Sequence, residues 1–507
     1  MKVYLDNNAT TKVDEEVVKA MMPYFSDYYG NPFSLHLFGN ETGLAVTEAR
    51  QTIADILKAK PSEIIFTASG SEADNLAIRG IAKAYKHRGK HIITSTIEHP
   101  AVKNTFIDLM EDGFEVTMVP VDENGVMILD EFKKALREDT ILVSVMHANN
   151  EVGSFQPVEE IGKITKERKI IFHVDAVQTM GKVEIYPEKM GIDLLSFSGH
   201  KFHAPKGIGV LYKRDGIRFA KVITGGNQEG KRRPGTSNVP YIVGLAKALK
   251  MATENMKEEW VREETLRNYF EDEVSKRIPE IKINGKGARR LPGTSSITFK
   301  YLEGESMLLN LSLRGIAVSS GSACSSDSLQ PSHVLLAMGV PAEYAHGTLR
   351  FSLSKYTTKE EIDYTIEALV EIIGKLRDYF EDEITKRIPE IKINGKGARR
   401  LPGTSSITFK YLEGESMLLN LSLKGIAVSS GSACSSDSLQ PSHVLLAMGV
   451  PAEFAHGTLR FSLSKYTTKE EIDYTIESLV EIIGKLRELS PLWKTFKDNK
   501  LTNEASF

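Results

Sequence analysis

The chain has 507 residues, 41% of them hydrophobic and 26% charged, with a formal net charge of −3. That length predicts more than one domain, since domains run roughly 100–200 residues. With no basic surplus and no Lys/Arg block, the composition argues against nucleic acid as a direct partner.

The N-terminus, Met1 to Asn8, turns polar before a signal-type apolar core forms, and runs such as Ile141-Leu142-Val143 are too short to span a bilayer. A soluble, cytoplasmic protein is expected. The only two cysteines, Cys324 and Cys434, exclude a disulfide framework and a cysteine-only metal site; each thiol is either inert or reactive. No metal site is expected.

Residues 268–377 recur at 378–487, so the two cysteines occupy one repeated position. The copies differ at six places: Asn268/Asp378, Val274/Ile384, Ser275/Thr385, Arg314/Lys424, Tyr344/Phe454 and Ala368/Ser478. An artefact would give identical copies, so this slight divergence favours a tandem duplication or a crossover between close relatives. A unit of that length is a domain rather than a solenoid repeat.

From about residue 60 to 240, short β-rich runs alternate with helical patterns. Ile64-Ile65-Phe66-Thr67 precedes a helix over 72–87, His91-Ile92-Ile93-Thr94 precedes another, and the runs at 141–145 and 170–174 follow. The alternation predicts an α/β fold with a mostly parallel, helix-covered sheet. Tyr241 through Arg267 carries no proline and reads as one long helix leading into a small α+β domain. Between Thr365 and Ile388 only Gly374 interrupts a helical pattern, so the last helix of copy one is expected to run into the first of copy two.

Several strand ends carry reactive groups. Ser196-Phe197-Ser198-Gly199-His200-Lys201 places a lysine after an apolar strand. Such a lysine forms a Schiff base with an aldehyde cofactor, or is simply a solvated surface group. Asp175, in His173-Val174-Asp175-Ala176-Val177-Gln178, falls at the carboxyl end of a strand; it either keeps a pyridine nitrogen protonated or caps the next helix. Thr67-Ala68-Ser69-Gly70-Ser71-Glu72 offers a helix start to an anion, or only an N-cap. His99 and Asn149-Asn150 follow further strand edges, as site groups or as satisfied structural residues. The coincidence of four such ends favours pyridoxal phosphate over the separate structural readings. The small-residue loop Ser319 to Ser326 cannot bury its Cys324, which suits a mobile nucleophile or a free surface thiol.

These motifs resemble the NifS/IscS-type cysteine desulfurases, in the class-V aminotransferase group of fold-type I pyridoxal-phosphate enzymes. The likeness runs from Tyr4-Leu5-Asp6-Asn7-Asn8-Ala9-Thr10-Thr11 to Arg377, and copy two repeats its last third. It implies that Lys201 is the Schiff-base lysine, that Asp175 pairs with the ring nitrogen, that Gln178 and Asn150 contact the ring hydroxyl region, and that His99 stacks on the ring and moves protons. Gly70, Ser71, Ser198 and His200 are implied at the phosphate. Thr236 matches a threonine that reaches the phosphate of the neighbouring subunit, implying a homodimer. Arg350, repeated as Arg460, matches the arginine that clamps the substrate carboxylate. The phosphate turn reads Ala68-Ser69-Gly70-Ser71 where Ser-Gly-Ala-Thr is usual, and Pro234 stands where serine is usual; no needed hydroxyl or charge is lost.

The implied organisation is an N-terminal segment (1–15), a large cofactor domain (16–257), two copies of a small domain (258–377 and 378–487) and a tail (488–507). The implied function is conversion of L-cysteine to L-alanine with a persulfide left on Cys324, or on Cys434. The sulfur would pass to an iron–sulfur scaffold or a tRNA-thiolation partner. Rival readings are selenocysteine lyase or another class-V activity, and a non-catalytic subunit that only binds scaffold.

Overall fold

The computed structural model describes residues 1–507 except 279, 301, 321–330, 399, 401–402, 431–440, 464–466 and 505–507, and without the side chains of 374–376 and 498–504. Its chain divides into two compact units. The first comprises Met1–Glu273, Ile281–Lys300 and Gly304–Asp363, and the second comprises Val274–Glu280, Tyr301–Glu303 and Tyr364–Phe507.

In the first unit a short strand β1 (Val3–Tyr4) is followed by β2 (Ile64–Thr67), β3 (His91–Ser95), β4 (Glu115–Val119), β5 (Thr140–Met146), β6 (Ile171–Asp175), β7 (Leu194–Ser198) and β8 (Gly209–Lys213). Strands β2 to β8 form one sheet in the order β2-β8-β7-β6-β5-β3-β4. All pairings are parallel except those of β8 with β2 and with β7. Two antiparallel steps restore direction, so β2 runs the same way as β7, and the carboxyl ends of β2, β3, β5, β6 and β7 share one edge.

Both faces are covered, which is why these strands read as continuous apolar runs. Successive residues go to opposite faces. Ile93, Val143, Phe172, Leu195 and Val210 enter one core cluster, whereas their neighbours Ile92, Leu142, Ile171, Leu194 and Leu211 enter the other. Helices Leu37–Leu57 and Val239–Glu254 contribute to the first cluster, and Gly70–Tyr85 and Pro100–Glu111 to the second.

The same unit holds a small antiparallel sheet of β9 (Ile281–Ile283), β10 (Thr294–Phe299) and, after a two-residue β11 (Ile316–Ala317), β12 (Thr348–Ser352), in the order β12-β10-β9. Strand β1 pairs in parallel with β11, and Ser352 N–H donates to Leu5 C=O at 2.7 Å. The N-terminal segment is thereby stitched to the small sheet.

The single helix expected over 241–267 is two helices, Val239–Glu254 and Met256–Arg277, broken at Asn255. Asn255 leaves helical geometry at φ −109° and ψ 9°, and its carbonyl accepts from Glu259 N–H at 3.0 Å, starting the second helix. Asparagine side chains compete for local backbone groups, so a break needs neither proline nor glycine. The junction of the repeats lies within one continuous helix, Lys359–Arg387.

The second unit carries β13 (Ile391–Ile393), β14 (Thr404–Phe409), β15 (Ser429–Ser430) and β16 (Thr458–Ser462), ordered β13-β14-β16-β15. Thr404↔Ser462 through Thr408↔Thr458 repeats the residue types and register of Thr294↔Ser352 through Thr298↔Thr348. Its core gathers Phe380, Ile407, Phe409, Leu459, Phe461 and Leu479. The terminal helix Pro491–Glu504 sets Trp493 and Phe496 against Tyr411, with ring centroids 5.7 and 4.7 Å away. Among the described residues, no helix is long and apolar enough to cross a membrane.

Phe172 is fully buried at the middle of the large sheet. Phe172→Ala should destabilise the fold by about 3–5 kcal/mol, through lost burial and the cavity left behind. A urea titration followed by circular dichroism checks this; an unchanged midpoint would refute the assignment of this core.

Candidate active site

A cavity of about 760 Å³ opens at the shared carboxyl edge of the large sheet and is lined from five strand ends. After β2 come Ser69, Gly70 and Ser71; after β3, His99; after β5, Asn150 and Glu151; after β6, Asp175 and Gln178; and from the end of β7, Ser198, His200 and Lys201. Asn8 from the N-terminal segment and Arg350 from β12 complete the wall.

The turn after β2 is an anion cradle by construction. Ser69 caps the helix Gly70–Tyr85 by accepting Glu72 N–H at 3.0 Å. The first N–H groups of such a helix have no intrahelical acceptor and face the cavity end. Two glycines permit the close approach. A Cβ on Gly209 would fall 2.6 Å from the Ser69 carbonyl carbon, and one on Gly70 would fall 2.8 Å from Val177 Cγ2. Ser198 is buried, His200 Nδ1 lies 3.2 Å from Thr10 Oγ1, and Ser71 is exposed at the helix start.

Lys201 Nζ donates to Asn8 C=O at 2.5 Å and to Ala9 C=O at 2.8 Å. Asp175, 6% exposed, accepts Val177 N–H at 2.8 Å; burial pushes it up to about 6, against the pull of that N–H and of the Lys201 charge. The local bond braces a turn rather than the helix start expected as the alternative for Asp175, and it coexists with a place in the cavity wall. Gln178 donates to Asn8 C=O at 3.0 Å, and its buried Oε1 has no partner among the described residues.

His99 caps the helix Pro100–Glu111, its Nδ1 accepting Ala101 N–H at 3.1 Å. Its proton therefore sits on Nε2. Burial, then the charges of Lys201 and His333, push it down to about 4, and His200 is likewise pushed down to about 4 by burial and neighbouring lysines. Both imidazoles are neutral at neutral pH.

Arg350 is 3% exposed, with Nη2 on Asp6 Oδ1 at 2.7 Å and Nη1 on Asn150 C=O at 3.0 Å. Among the described residues its buried Nε has no partner. Arg460 is exposed on β16 of the second unit. Thr236 is exposed and does not line the cavity; it borders a smaller recess with Thr67, Gly207 and Arg233. Cys324 and Cys434 lie outside the described residues.

Sequence reasoning missed Asn8, Asp74, Glu98, Glu151 and His333. Asp74, Glu151 and His333 line the cavity, and Glu98 lies behind it, accepting Met146 N–H at 3.1 Å and the Ser95 hydroxyl. Burial pushes Asp74 well up, with the Asp175 charge adding to it. Glu98 and Glu151 each adjoin a residue flagged at a strand end, which was the one signal available.

The set fits pyridoxal phosphate: a lysine amine, a carboxylate at a strand end, a helix start held open by glycines, neutral imidazoles and an orphaned amide oxygen share one cavity. The aminotransferase class-V family model matches residues 3–365 and, a second time, 364–475. The chain belongs to the aminotransferase class-V family. Within this family, a cysteine desulfurase IscS from Dictyoglomus turgidum is 50% identical over 395 residues, 78% of this chain and 99% of that protein. A cysteine desulfurase from Trichormus azollae is 52% identical over 375 residues, 74% of this chain and 94% of its own length. A solved NifS-like protein is 42% identical with a TM-score of 0.70, covering 74% of this chain and 99% of that one.

Glu98 is fully buried and pushed up to about 8. A carboxyl raised in the folded state holds its proton there while the unfolded chain has lost it, so it subtracts stability as pH rises from its ordinary value towards 8. Glu98→Gln should match the parent near pH 5 and exceed it at pH 8 by about 2–3 kcal/mol. Thermal unfolding across that range is the check; a gap that does not widen with pH would refute the buried neutral acid.

Proposed function

We propose that the protein is a cysteine desulfurase, converting L-cysteine to L-alanine and keeping the sulfur as a persulfide on Cys324 for iron–sulfur cluster assembly. The observation that carries this is the placement of Lys201 and Arg350 on one cavity: an amine to hold the cofactor and a buried guanidinium to hold an amino-acid carboxylate.

The cofactor is pyridoxal 5′-phosphate, which when bound supplies an electron sink for negative charge on the substrate carbon skeleton. Lys201 would hold it, Asp175 would pair with its ring nitrogen, and the Gly70–Ser71 helix start with Ser198 and His200 would bind its phosphate. Gln178 and Asn150 orient the ring. Lys201 Nζ and His99 Nε2 move protons. Arg350 fixes the substrate carboxylate.

In the overall reaction the substrate Cβ–S bond breaks, an S–S bond to Cys324 forms, and a proton is delivered to Cβ to give alanine. Cys324 is preferred to Cys434 because it belongs to the copy whose arginine lines the cavity. The functional organisation proposed is a large cofactor domain followed by two copies of a small domain, copy two being additional to the part that completes the site. Thr236, exposed and outside the cavity of its own chain, is assigned to the phosphate of a second subunit in a homodimer. A scaffold protein or another acceptor takes the sulfur, in the cytoplasm.

Alanine and protein-bound persulfide, measured from L-cysteine with the parent, Cys324→Ala, Cys434→Ala and the double variant, test the proposal. Cys324→Ala should lose persulfide and at least about a hundredfold in rate, as expected when a nucleophile is removed, while Cys434→Ala should keep both. Persulfide formation by the double variant would overturn the proposal, and loss in Cys434→Ala alone would reassign the nucleophile.

A further inference from the structure

Glu151 lines the cavity but has no part in the roles above. It is 5% exposed, and its carboxylate accepts the Ser332 hydroxyl at 2.5 Å. Ser332 Oγ in turn accepts the N–H groups of Val334 and Leu335, capping the short helix His333–Ala337. The peptide carbonyl that precedes Glu151, that of Asn150, is the one holding Arg350 Nη1 and Asn8 Nδ2. One dipeptide thus joins a buried acid to the guanidinium assigned to the substrate carboxylate.

The ionisable groups around Glu151 come from several elements. Arg350 belongs to β12, and Asp6 is tied to that arginine from the N-terminal segment. His333 follows Ser332 and shares a 3.1 Å hydrogen bond with the Glu98 carbonyl. Burial holds His333 low and Glu98 high, so both are neutral near pH 7. Lys201 and His99 line other parts of the cavity wall. A carboxylate brought to Arg350 therefore adds negative charge next to a buried acid whose nearest cation already answers Asp6. A proton on Glu151 relieves that repulsion and leaves an oxygen to accept from Ser332. Burial has pushed Glu151 up to about 7, so solvent supplies the proton readily at neutral pH.

We propose that Glu151 is a positioning residue for the Arg350 clamp, taking up a proton when an amino-acid carboxylate binds there and returning it when the clamp empties. The idea rests on the reading of Arg350 given above. Its sign is fixed by linkage: binding favours protonated Glu151, so this contribution is full at low pH and is lost as pH rises through about 7.

The test uses the cofactor-loaded protein with L-alanine as probe, its Kd read from cofactor absorbance at pH 6, 7 and 8. Calorimetry in two buffers of different ionisation enthalpy counts the protons taken up. Relative to Glu151→Gln, the parent's Kd should rise about threefold to tenfold from pH 6 to 8. At pH 7 the parent should take up about a quarter to four-tenths of a proton more. Ser332→Ala, which keeps the carboxyl but removes its donor, should move the rise to higher pH, an effect that a purely structural role would not produce. Parallel pH dependence and equal proton counts in the parent and Glu151→Gln would overturn the proposal. Arg350→Lys separates the two levels. If it leaves L-alanine binding unchanged, the reading of the clamp fails; if it weakens binding while Glu151→Gln runs parallel to the parent, only the role of Glu151 fails.

Discussion

A guanidinium buried to 3% exposure must have its charge answered by the protein, and Arg350 recruits distant parts of the chain to do it: the Asp6 carboxylate and the Asn150 carbonyl. Meeting that demand fixes the course of the N-terminal segment. Val3 and Tyr4 pair with Ile316 and Ala317, Leu5 C=O accepts from Ser352, and Asp6 then lies beside the guanidinium. Two residues on, the Asn8 carbonyl accepts from both Lys201 and Gln178. A single ion pair thereby links the group assigned to the substrate carboxylate with the group assigned to the cofactor, through a stretch of extended chain rather than through the core.

Burial then decides which groups around the cavity carry charge. His99 and His200 are held neutral by burial next to lysine, and Glu98 is held neutral by burial, with the Asp175 charge adding to it. Asp175 keeps a value near 6 because the Val177 N–H and the Lys201 charge offset part of its desolvation. Lys201, Asp175 and Arg350 share the cavity with Lys103 and Lys206, while the imidazoles and Glu98 around them carry no charge at neutral pH. Such selective silencing is how one pocket separates proton-moving groups from charge-holding ones.

The sheet and its loaded edge were legible in the sequence because both are local signals. Apolar runs such as Leu142–Val145 announce strands buried on both faces, and a lysine, an aspartate or a glycine-serine turn just beyond such a run points to the ligand edge. What could not be read depends on partners far along the chain. Nothing near Asn8 shows that its carbonyl meets Lys201, and Glu98 and Glu151 look like surface acids in a chain that is 26% charged. Their burial is decided by Met146 and Ser332, which come together only in the fold. The break at Asn255 escaped notice for a different reason: one asparagine within a long helical pattern is tolerated as often as not, and tertiary packing decides.

The repeated sequence shows how little of a site resides in one segment. Arg350 and Arg460 are the same residue type in the same register, opposite Ser296 and Ser406. Yet Arg350 is buried and bound, whereas Arg460 is exposed. The β10–β12 pairing around Arg350 repeats as the β14–β16 pairing around Arg460, although the second sheet gains a fourth strand, β15, beside β16. The clamp is dictated by Asp6 and Asn150, which occur outside the repeat and therefore once per chain. The repeated sequence gives a second arginine and a second thiol, but a chain with one Lys201, one Asp6 and one Asn150 contains these parts of the site once.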